Sequence, residues 1–386
     1  MSAVTETHRG SSEASALSQI QNSHTRGFLI VSRTTIDYTP EGNTRLPLSY
    51  YLSLHRPQPG DKVSRRIEQL DRMRRHGRRG ADFKMTVGGN GPNIAHRLSE
   101  LLQGETPVTV FTWGDAEHAD LLSLDLTHPR KGMFPKLEIF DGRMPQALVF
   151  PVRTQQGIPD RIIYSSSPNM PSEFAHVIDG SHEYVILNSL GGKNWRRSLY
   201  NGTDALNGLK TTKSIVTPGT AQLNAVKFGD NPDAVYYTMK KASSLIVNKV
   251  ELRTLVAGSG RDPADSMKKL LAQGLDLGPT VVIASDGANG VYGASQAENR
   301  MIHVTATTPD ILKSTLGCGD ALLAGVVFTP DAFNGALAEA LINGSISASF
   351  AAETIGAHVN PPSVIDLATR RMLREPKVTV LYEKPA

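Results

Sequence analysis

The chain has 386 residues, of which 39% are hydrophobic and 20% charged, and its formal net charge is +4. This composition is typical of a globular protein, and no stretch approaches the roughly 18 consecutive apolar residues of a membrane span. The single cysteine, Cys318, excludes an intramolecular disulfide and a CxxC metal site. The length predicts one large domain with an added subdomain.

Two polar stretches stand out near the beginning of the chain. Residues 1–26 are rich in Ser, Thr, Glu and Gln and lack an apolar core, which predicts a disordered tail on a cytoplasmic protein. Residues 64–80 carry seven arginines against two acids. This run is open to three interpretations: a solvated basic face, a site for a phosphate-bearing or acidic ligand, or a nucleic-acid contact. It contains no aromatic residue for base stacking, so we do not expect nucleic acid as a partner. Because no apolar stretch is long enough to span a membrane, we do not expect a membrane partner either.

From residue 27 onward, apolar strands alternate with helical stretches. Runs that end in Gly, Asn, Asp or Ser occur in the order GFLIVSRTTIDY, PVTVFTWGD, EYVILNSLGG, SIVTPG, SSLIVN and TVVIASDG. Helix-forming segments such as residues 262–275 lie between them. The alternation predicts an α/β fold, a three-layer sandwich with a mainly parallel central sheet. Ligands of such folds bind beyond the carboxyl ends of the strands, where the sequence places Asp37, Asn188, Asn248 and Ser285.

Two regions interrupt this alternation. Residues 39–86 contain no clear strand–helix unit, and residues 146–168 alternate around a glycine-containing turn, which predicts a β-hairpin. Together they are expected to form a small β-rich lid over the strand ends. The main domain is expected to span residues 27–386.

A glycine- and asparagine-rich segment, TVGGNGPNIAHRLSELL, leads into a predicted amphipathic helix at residues 86–102. Glycines allow a backbone to approach a ligand closely, and asparagine offers both a donor and an acceptor to sugar hydroxyls. The alternative is a simple turn in which Asn93 caps the helix.

A second glycine-rich loop, STLGCGDALLAGVVF, enters a helix of small residues at 314–328. Backbone N–H groups at Gly317, Cys318 and Gly319, with the positive end of the helix behind them, are suited to bind an anion. Asp320 follows in the first turn, where a carboxylate is stabilised. The alternative is a tight turn with a first-turn acid.

The motif VNKVE places Asn248 and Glu251 three residues apart. This spacing is suited to hold a hydrated Mg²⁺ on one side of a first helical turn, and it is equally a capping pattern. The chain contains neither GxxxxGK[ST] nor a GxGxxG after its first strand, which disfavours a Walker-type P-loop and a dinucleotide site.

In combination, these motifs resemble the ribokinase-like (PfkB) family of carbohydrate and nucleoside kinases. FLIVSRTTIDY is similar to the family's first strand, GGNGPNIAHRL to its first signature, NKVE to its N-x-x-E motif and TLGCGDALLAG to its second signature. The four occur in the family's order over about residues 27–365. The second signature usually reads GAGD, so Cys318 stands at its alanine.

The resemblance implies a role for each matching position. Asp320 would be the general base, and the amides of Gly317, Cys318 and Gly319 would form an anion hole for the transferred phosphoryl group. The acceptor would be bound by Asp37, Gly88, Gly89 and Asn93. The nucleotide would be bound by Asn248, Ser285, Gly287 and Gly290. Mg²⁺ would be organised by Glu251 and Asn248, through water.

The chain departs from the family pattern at three positions. Ser314 replaces a frequent aspartate, which puts a monovalent-cation site in doubt, and Leu316 replaces a frequent threonine. Asn90 stands where ribokinase and the phosphofructokinase-like members often carry lysine, so a phosphorylated sugar acceptor would lose a contact. The interval between Asp37 and Gly88 is also long, and it contains the arginine run.

The resemblance implies an ATP- and Mg²⁺-dependent kinase that phosphorylates a hydroxyl of a small sugar or sugar-like (cyclitol) molecule. A nucleoside kinase of the same fold, with Tyr50 and Tyr51 as candidates to contact a base, and a non-catalytic ligand-binding member are the alternatives. A homodimer formed through the lid is a further implication of the family.

Overall fold

The computed structural model describes residues 27–40, 62–64, 68–70, 83–127, 131–153, 159–166, 171–192, 194–354 and 361–383. The predicted N-terminal tail, Tyr50, Tyr51 and most of the arginine run lie outside these residues. No helix in the described ranges is long and apolar enough to cross a membrane.

Most of the described chain folds around one large sheet. Its ten strands are β1 (Gly27–Ser32), β5 (Val108–Gly114), β6 (Met133–Ile139), β9 (His182–Asn188), β10 (Lys213–Thr217), β11 (Ser244–Asn248), β12 (Val281–Ser285), β13 (Val291–Ser295), β14 (Arg300–Val304) and β15 (Val378–Glu383). They lie in the order 15-14-13-12-11-10-9-1-5-6. The strands from β6 to β12 are parallel, and β12 to β15 pair antiparallel. The predicted mainly parallel sheet is thus confirmed.

Helices cover both faces of the large sheet. They are α1 (Asn90–Leu102), α2 (Ala119–Leu126), α3 (Trp195–Asn207), α4 (Thr220–Phe228), α5 (Asp233–Lys241), α6 (Lys249–Gly258), α7 (Met267–Leu275), α8 (Cys318–Phe328), α9 (Leu337–Ala352) and α10 (Val364–Arg374). Successive residues of β1 enter different cores, because side chains alternate across a strand. Phe28 and Ile30 pack with α1, α8 and α9, whereas Leu29 and Val31 pack with α3. Each such burial contributes about 1.5–3 kcal/mol.

A second, small sheet contains β3 (Lys62–Ser64), β8 (Pro159–Ser165), β7 (Gln146–Arg153), β2 (Thr35–Pro40) and β4 (Phe83–Gly88), in that order. The predicted hairpin at 146–168 is present, since β7 and β8 pair antiparallel. β2 pairs antiparallel with β4 and parallel with β7. The predicted β-rich addition to the α/β domain is therefore confirmed, and it starts earlier than expected, at Thr35.

The segment GFLIVSRTTIDY forms two strands instead of the single strand predicted. β1 is buried throughout, whereas residues 33–39 alternate between half-buried and buried, the pattern of a one-sided sheet. Asp37 therefore lies within β2 of the small sheet and does not end the first strand of the large one. The break at Arg33 and Thr34 carries the chain from one sheet to the other.

Candidate active site

Polar side chains end neighbouring strands at the carboxyl edge of the large sheet, as predicted. Ser32 and Thr217 each lie in register with Asn188, and Asn248 lies in register with Ser285. Ser32 Oγ also donates to Asn188 Oδ1 at 3.3 Å. Asn188, Asn248 and Ser285 thus occupy the edge at which ligands of open α/β sheets bind.

The second glycine-rich loop folds as the start of α8. Gly317 is the N-cap residue with φ of 77°, a left-handed conformation that favours glycine. The amides of Gly317 and Gly319 donate to no other backbone group of the described residues, and that of Cys318 makes one long bond of 3.4 Å to Thr315 O. The loop therefore presents N–H groups at a helix N-terminus, an arrangement that can stabilise negative charge.

Asp320 lies in the first turn of α8, where it contacts the first glycine- and asparagine-rich segment. Asn93 Nδ2 donates to Asp320 Oδ2 at 2.7 Å, across a sequence separation of 227 residues. Asn93 is the fourth residue of α1, whose N-cap is Gly89, so the alternative in which Asn93 caps the helix is wrong. The hydrogen bond places the carboxylate of Asp320, the candidate general base, beside the side chain of Asn93.

The end of β4 and the beginning of α1 pack closely against β2 and the end of β1. A Cβ atom at Gly88 would lie 2.0 Å from Asp37 Oδ2, so only glycine leaves room for this carboxylate. Thr35 Oγ1 donates to Asp37 Oδ1 at 2.7 Å. Gly91 N donates to Ser32 Oγ at 3.1 Å. The structure therefore brings Asp37, Gly88, Gly89 and Asn93 to one side of the site.

Arg97 is a site residue that the sequence reasoning missed. It is 0% exposed, and it lies one helical turn after Asn93 on α1. Burial lowers the pKa of Arg97, and the nearby Asp320 and Cys318 act in the opposite direction. A positive charge is thus buried close to the candidate base. The i, i+4 spacing of Asn93 and Arg97 on a helix that leads into the site was the available signal.

Asn248 and Glu251 form a capping box at the start of α6. Asn248 Oδ1 accepts from Glu251 N at 2.8 Å, and Glu251 Oε2 accepts from Asn248 N at 2.9 Å. Burial raises the pKa of Glu251. Within the described ranges, no group of three or more His, Cys, Asp or Glu side chains could hold a metal ion. The pair therefore fits Mg²⁺ only as a partner to other ligands, such as nucleotide phosphates and water.

The loop after β12 carries the other predicted nucleotide residues. Ser285 ends the strand, Gly287 begins a short 3₁₀ turn, and Gly290 ends it. Lys249 Nζ lies 2.9 Å from Asp286 Oδ2 and ties this loop to the start of α6. The loop and the Asn248–Glu251 pair are thus neighbours on the β11–β12 side of the edge, away from Asp37.

Comparisons with known proteins agree with this architecture. Residues 227–363 match the model of the pfkB family carbohydrate kinases. A search among curated proteins finds no match. Adenosine kinase from Sinorhizobium meliloti is similar in structure with a TM-score of 0.65 at 14% identity, over 90% of this chain and 99% of that chain.

Two ribokinase structures are similar over a comparable extent. The enzyme from Thermotoga maritima has a TM-score of 0.62 at 17% identity, over 90% of this chain and 99% of its own. The ribokinase of Arabidopsis thaliana, solved with ribose and ATP, has a TM-score of 0.61 at 16% identity, over 89% and 98%.

The two sheets and the site at their junction define the ribokinase-like fold. The family match bears out the resemblance read from the motifs over residues 227–363, and the similar structures bear out the fold over about nine tenths of the chain.

Proposed function

We propose that the protein is an ATP-dependent phosphotransferase that phosphorylates a hydroxyl of a sugar or sugar-like (cyclitol) acceptor. The observation that carries the proposal is the 2.7 Å hydrogen bond between Asn93 and Asp320. It joins the segment assigned to acceptor binding with the segment assigned to phosphoryl transfer. A general base must lie beside the acceptor hydroxyl that it deprotonates, and this contact supports such a placement.

In the proposed reaction, Asp320 accepts the proton of the acceptor hydroxyl. The hydroxyl oxygen forms a bond to the γ-phosphorus of ATP, and the bond to the β–γ bridging oxygen breaks to release ADP. The amides of Gly317, Cys318 and Gly319 stabilise the charge on the transferred group. Phosphoryl transfer depends mainly on positioning and charge stabilisation, which are what this loop offers.

Acceptor and nucleotide are assigned to opposite sides of Asp320. Asp37, Gly88, Gly89 and Asn93 hold the acceptor hydroxyls, and Asn248, Ser285, Gly287 and Gly290 hold the nucleotide. Glu251 and Asn248 would hold Mg²⁺ through water, and the metal would neutralise phosphate charge there. The Arabidopsis ribokinase structure with ATP supports the choice of donor by analogy of fold.

A nucleoside acceptor is the second candidate, since the similar Sinorhizobium protein is an adenosine kinase. A nucleoside base needs an aromatic or apolar slot. Tyr38, Phe150 and Tyr164 of the small sheet are instead buried in that sheet's own core. Among the described residues, these three rings are therefore not placed to contact a base, which favours the sugar-like acceptor; Tyr50 and Tyr51 lie outside those residues.

The test is the release of ADP from ATP and Mg²⁺ with a panel of free sugars, sugar acids, phosphosugars, cyclitols and nucleosides. The product is then identified by mass spectrometry. We expect at least one acceptor to gain a phosphoryl group in the wild type and none in Asp320→Asn. Acceptors that are bound but never phosphorylated would instead support the non-catalytic alternative.

A further inference from the structure

Arg33 lies at the junction of the two sheets, on the face that carries the acceptor-binding aspartate. Residues 33, 35 and 37 are half-buried, whereas Thr34, Ile36 and Tyr38 are buried. Because alternate residues of an extended chain share a face, Arg33 continues the row formed by Thr35 and Asp37.

The guanidinium group of Arg33 lies over the loop that follows β9. A Cβ atom at Gly191 would be 3.0 Å from Arg33 Nη1, so the glycine leaves room for the guanidinium. Arg33 Nη2 donates to Ser166 O at a long 3.5 Å. The side chain therefore bridges the end of β9 in the large sheet and the end of β8 in the small sheet. Asn90 Nδ2 and Ser189 Oγ, 3.0 Å apart, join the same β9 loop to the start of α1.

The hydrogen-bonding capacity of this guanidinium is largely unused. Its Nε is buried and has no hydrogen-bond partner among the described residues. Within the same residues, no carboxylate forms an ion pair with it, although Asp37 lies on the same face. Burial lowers the pKa of Arg33 to about 10. Arg97 differs, because Asp320 offsets part of the effect of its burial.

A desolvated arginine without a carboxylate partner is costly to a fold. Its planar, forked donors suit a carboxylate or a phosphate, which can accept two parallel hydrogen bonds. An anion that arrives with a ligand would supply the missing partner. The location, on the face of Asp37 and beside the loop joined to α1, makes the acceptor the ligand concerned.

We propose that Arg33 binds an anionic group of the acceptor, a carboxylate or a phosphate, so that the acceptor is an acidic or phosphorylated sugar. This inference rests on the proposed function for the identity of the ligand as an acceptor. Asp37 then selects hydroxyls, and Arg33 selects charge at a separate point of the same molecule.

The experiment compares matched pairs that differ by the charged group: glucose with glucuronate, ribose with ribose 5-phosphate, and fructose with fructose 6-phosphate. Binding is measured by calorimetry with a non-hydrolysable ATP analogue present, so that the anion hole is occupied. Turnover is measured separately as kcat/KM with ATP. The variants are Arg33→Gln and Arg33→Lys. Arg261→Gln, which removes an exposed ion pair with Asp276, is the matched control.

We expect the wild type to prefer the anionic member of at least one pair by tenfold or more. Arg33→Gln should lose about 10–100-fold on that member and little on its neutral counterpart. Arg33→Lys keeps the charge but not the fork, so it should lose less. Arg261→Gln should match the wild type. Whether sugar acids or phosphosugars respond distinguishes a carboxylate from a phosphate.

Two outcomes separate this proposal from the proposed function. Phosphorylation of neutral acceptors with no preference for anionic members would overturn the role of Arg33 and leave the kinase assignment intact. Binding of anionic members that depends on Arg33, without phosphorylation of any acceptor, would support the anion site and contradict the kinase assignment. If no anionic member binds the wild type more tightly than its neutral counterpart, the Arg33 proposal is wrong. Melting temperatures confirm that each variant is folded.

Discussion

The two sides of the candidate site are built in different ways. On the nucleotide side, neighbours in sequence make the structure: Asn248 and Glu251 cap one helix together, and Gly317 begins the helix that carries Asp320. On the acceptor side, the contacts join distant segments, such as Asp37 with Gly88, Asn93 with Asp320 and Arg33 with the β9 loop. The family match covers residues 227–363, which hold only the nucleotide side. The side assigned to phosphoryl transfer is therefore formed by local contacts, whereas the side assigned to the acceptor is formed by tertiary contacts.

Asp320→Asn should have the largest effect, because Asp320 is the residue at which the two sides of the candidate site are in contact. Asparagine can still accept the hydrogen bond from Asn93 but cannot take a proton at neutral pH. We expect kcat to fall by about 10²–10⁴-fold, measured as ADP release with an accepted substrate. Asp331→Asn, on the exposed turn after α8, is the control. Near-wild-type turnover in Asp320→Asn would show that another group is the base.

Gly319→Ala tests the nucleotide side alone. No heavy atom lies within 4 Å of a Cβ atom placed there, so the methyl group would extend into open space beside the amides. Alanine within a helix should leave the melting temperature unchanged or raise it. The methyl group keeps the N–H groups but obstructs the approach of the phosphoryl group to them. Because each oxyanion donor typically contributes ~10²–10³-fold, we expect kcat to fall by about 10–100-fold. A variant that is both more stable and fully active would contradict the anion hole.

Glu251→Gln tests the Mg²⁺ assignment on the same side. Glutamine preserves the capping box but removes a carboxylate whose pKa is raised by burial. A raised folded-state pKa means that ionised Glu251 destabilises the fold as pH rises through it, so the variant should melt no lower than the wild type at pH 8. A Mg²⁺ titration of ADP release should shift about tenfold to higher concentration. An unchanged titration would leave Glu251 as a cap only.

Arg97→Met tests the acceptor side, where a buried positive charge lies near Asp320. Without this charge, the ionised form of Asp320 is less stable relative to the protonated form, so the carboxylate accepts a proton from solvent at higher pH. The acidic limb of the kcat/KM profile should therefore move upward by about one pH unit, with a small change in KM. Arg97→Lys should restore part of the shift. A uniform loss at all pH values would indicate a purely structural role.

Cys318→Ala should have the smallest effect, since the backbone amide and not the thiol is assigned a role. We expect turnover within about twofold of the wild type. Cys318 is partly exposed at the N-terminus of α8, so alkylation of the wild type should inactivate it, more slowly with ATP present. Substantial loss in Cys318→Ala would mean that the thiol takes part.

The sequence predicted the α/β fold well, because the fold depends on short-range patterns, whereas the nucleotide assignment stays a prediction. Apolar strand runs predicted the large sheet, and a glycine before a small-residue helix predicted the start of α8. Asp37 was predicted to end the first strand, whereas it lies within β2 of the small sheet. The change from a continuous apolar run, FLIV, to the alternating polar and apolar residues TIDY was the missed signal.

Arg33 could not be assigned from the sequence, and for Arg97 the only signal was its i, i+4 spacing from Asn93. Their importance depends on which distant groups surround them and on how fully they are buried, and neither is encoded in nearby residues. Asn93 had two local interpretations, and its position as the fourth residue of α1, whose N-cap is Gly89, excludes the capping one. The arginine run at 64–80, which attracted attention by composition alone, stays a prediction.

The break in the first strand has a mechanical consequence. Only Arg33 and Thr34 separate β1 from β2, and two residues span about 7 Å at most. Thr34 is anchored to β5 by a hydroxyl contact of 2.8 Å with Thr112. The small sheet is thus connected to the large sheet by a short segment at this point. However the rest of that sheet moves, Asp37 lies only three residues after Thr34, so an acceptor held by Asp37 as proposed would keep its position relative to the large sheet.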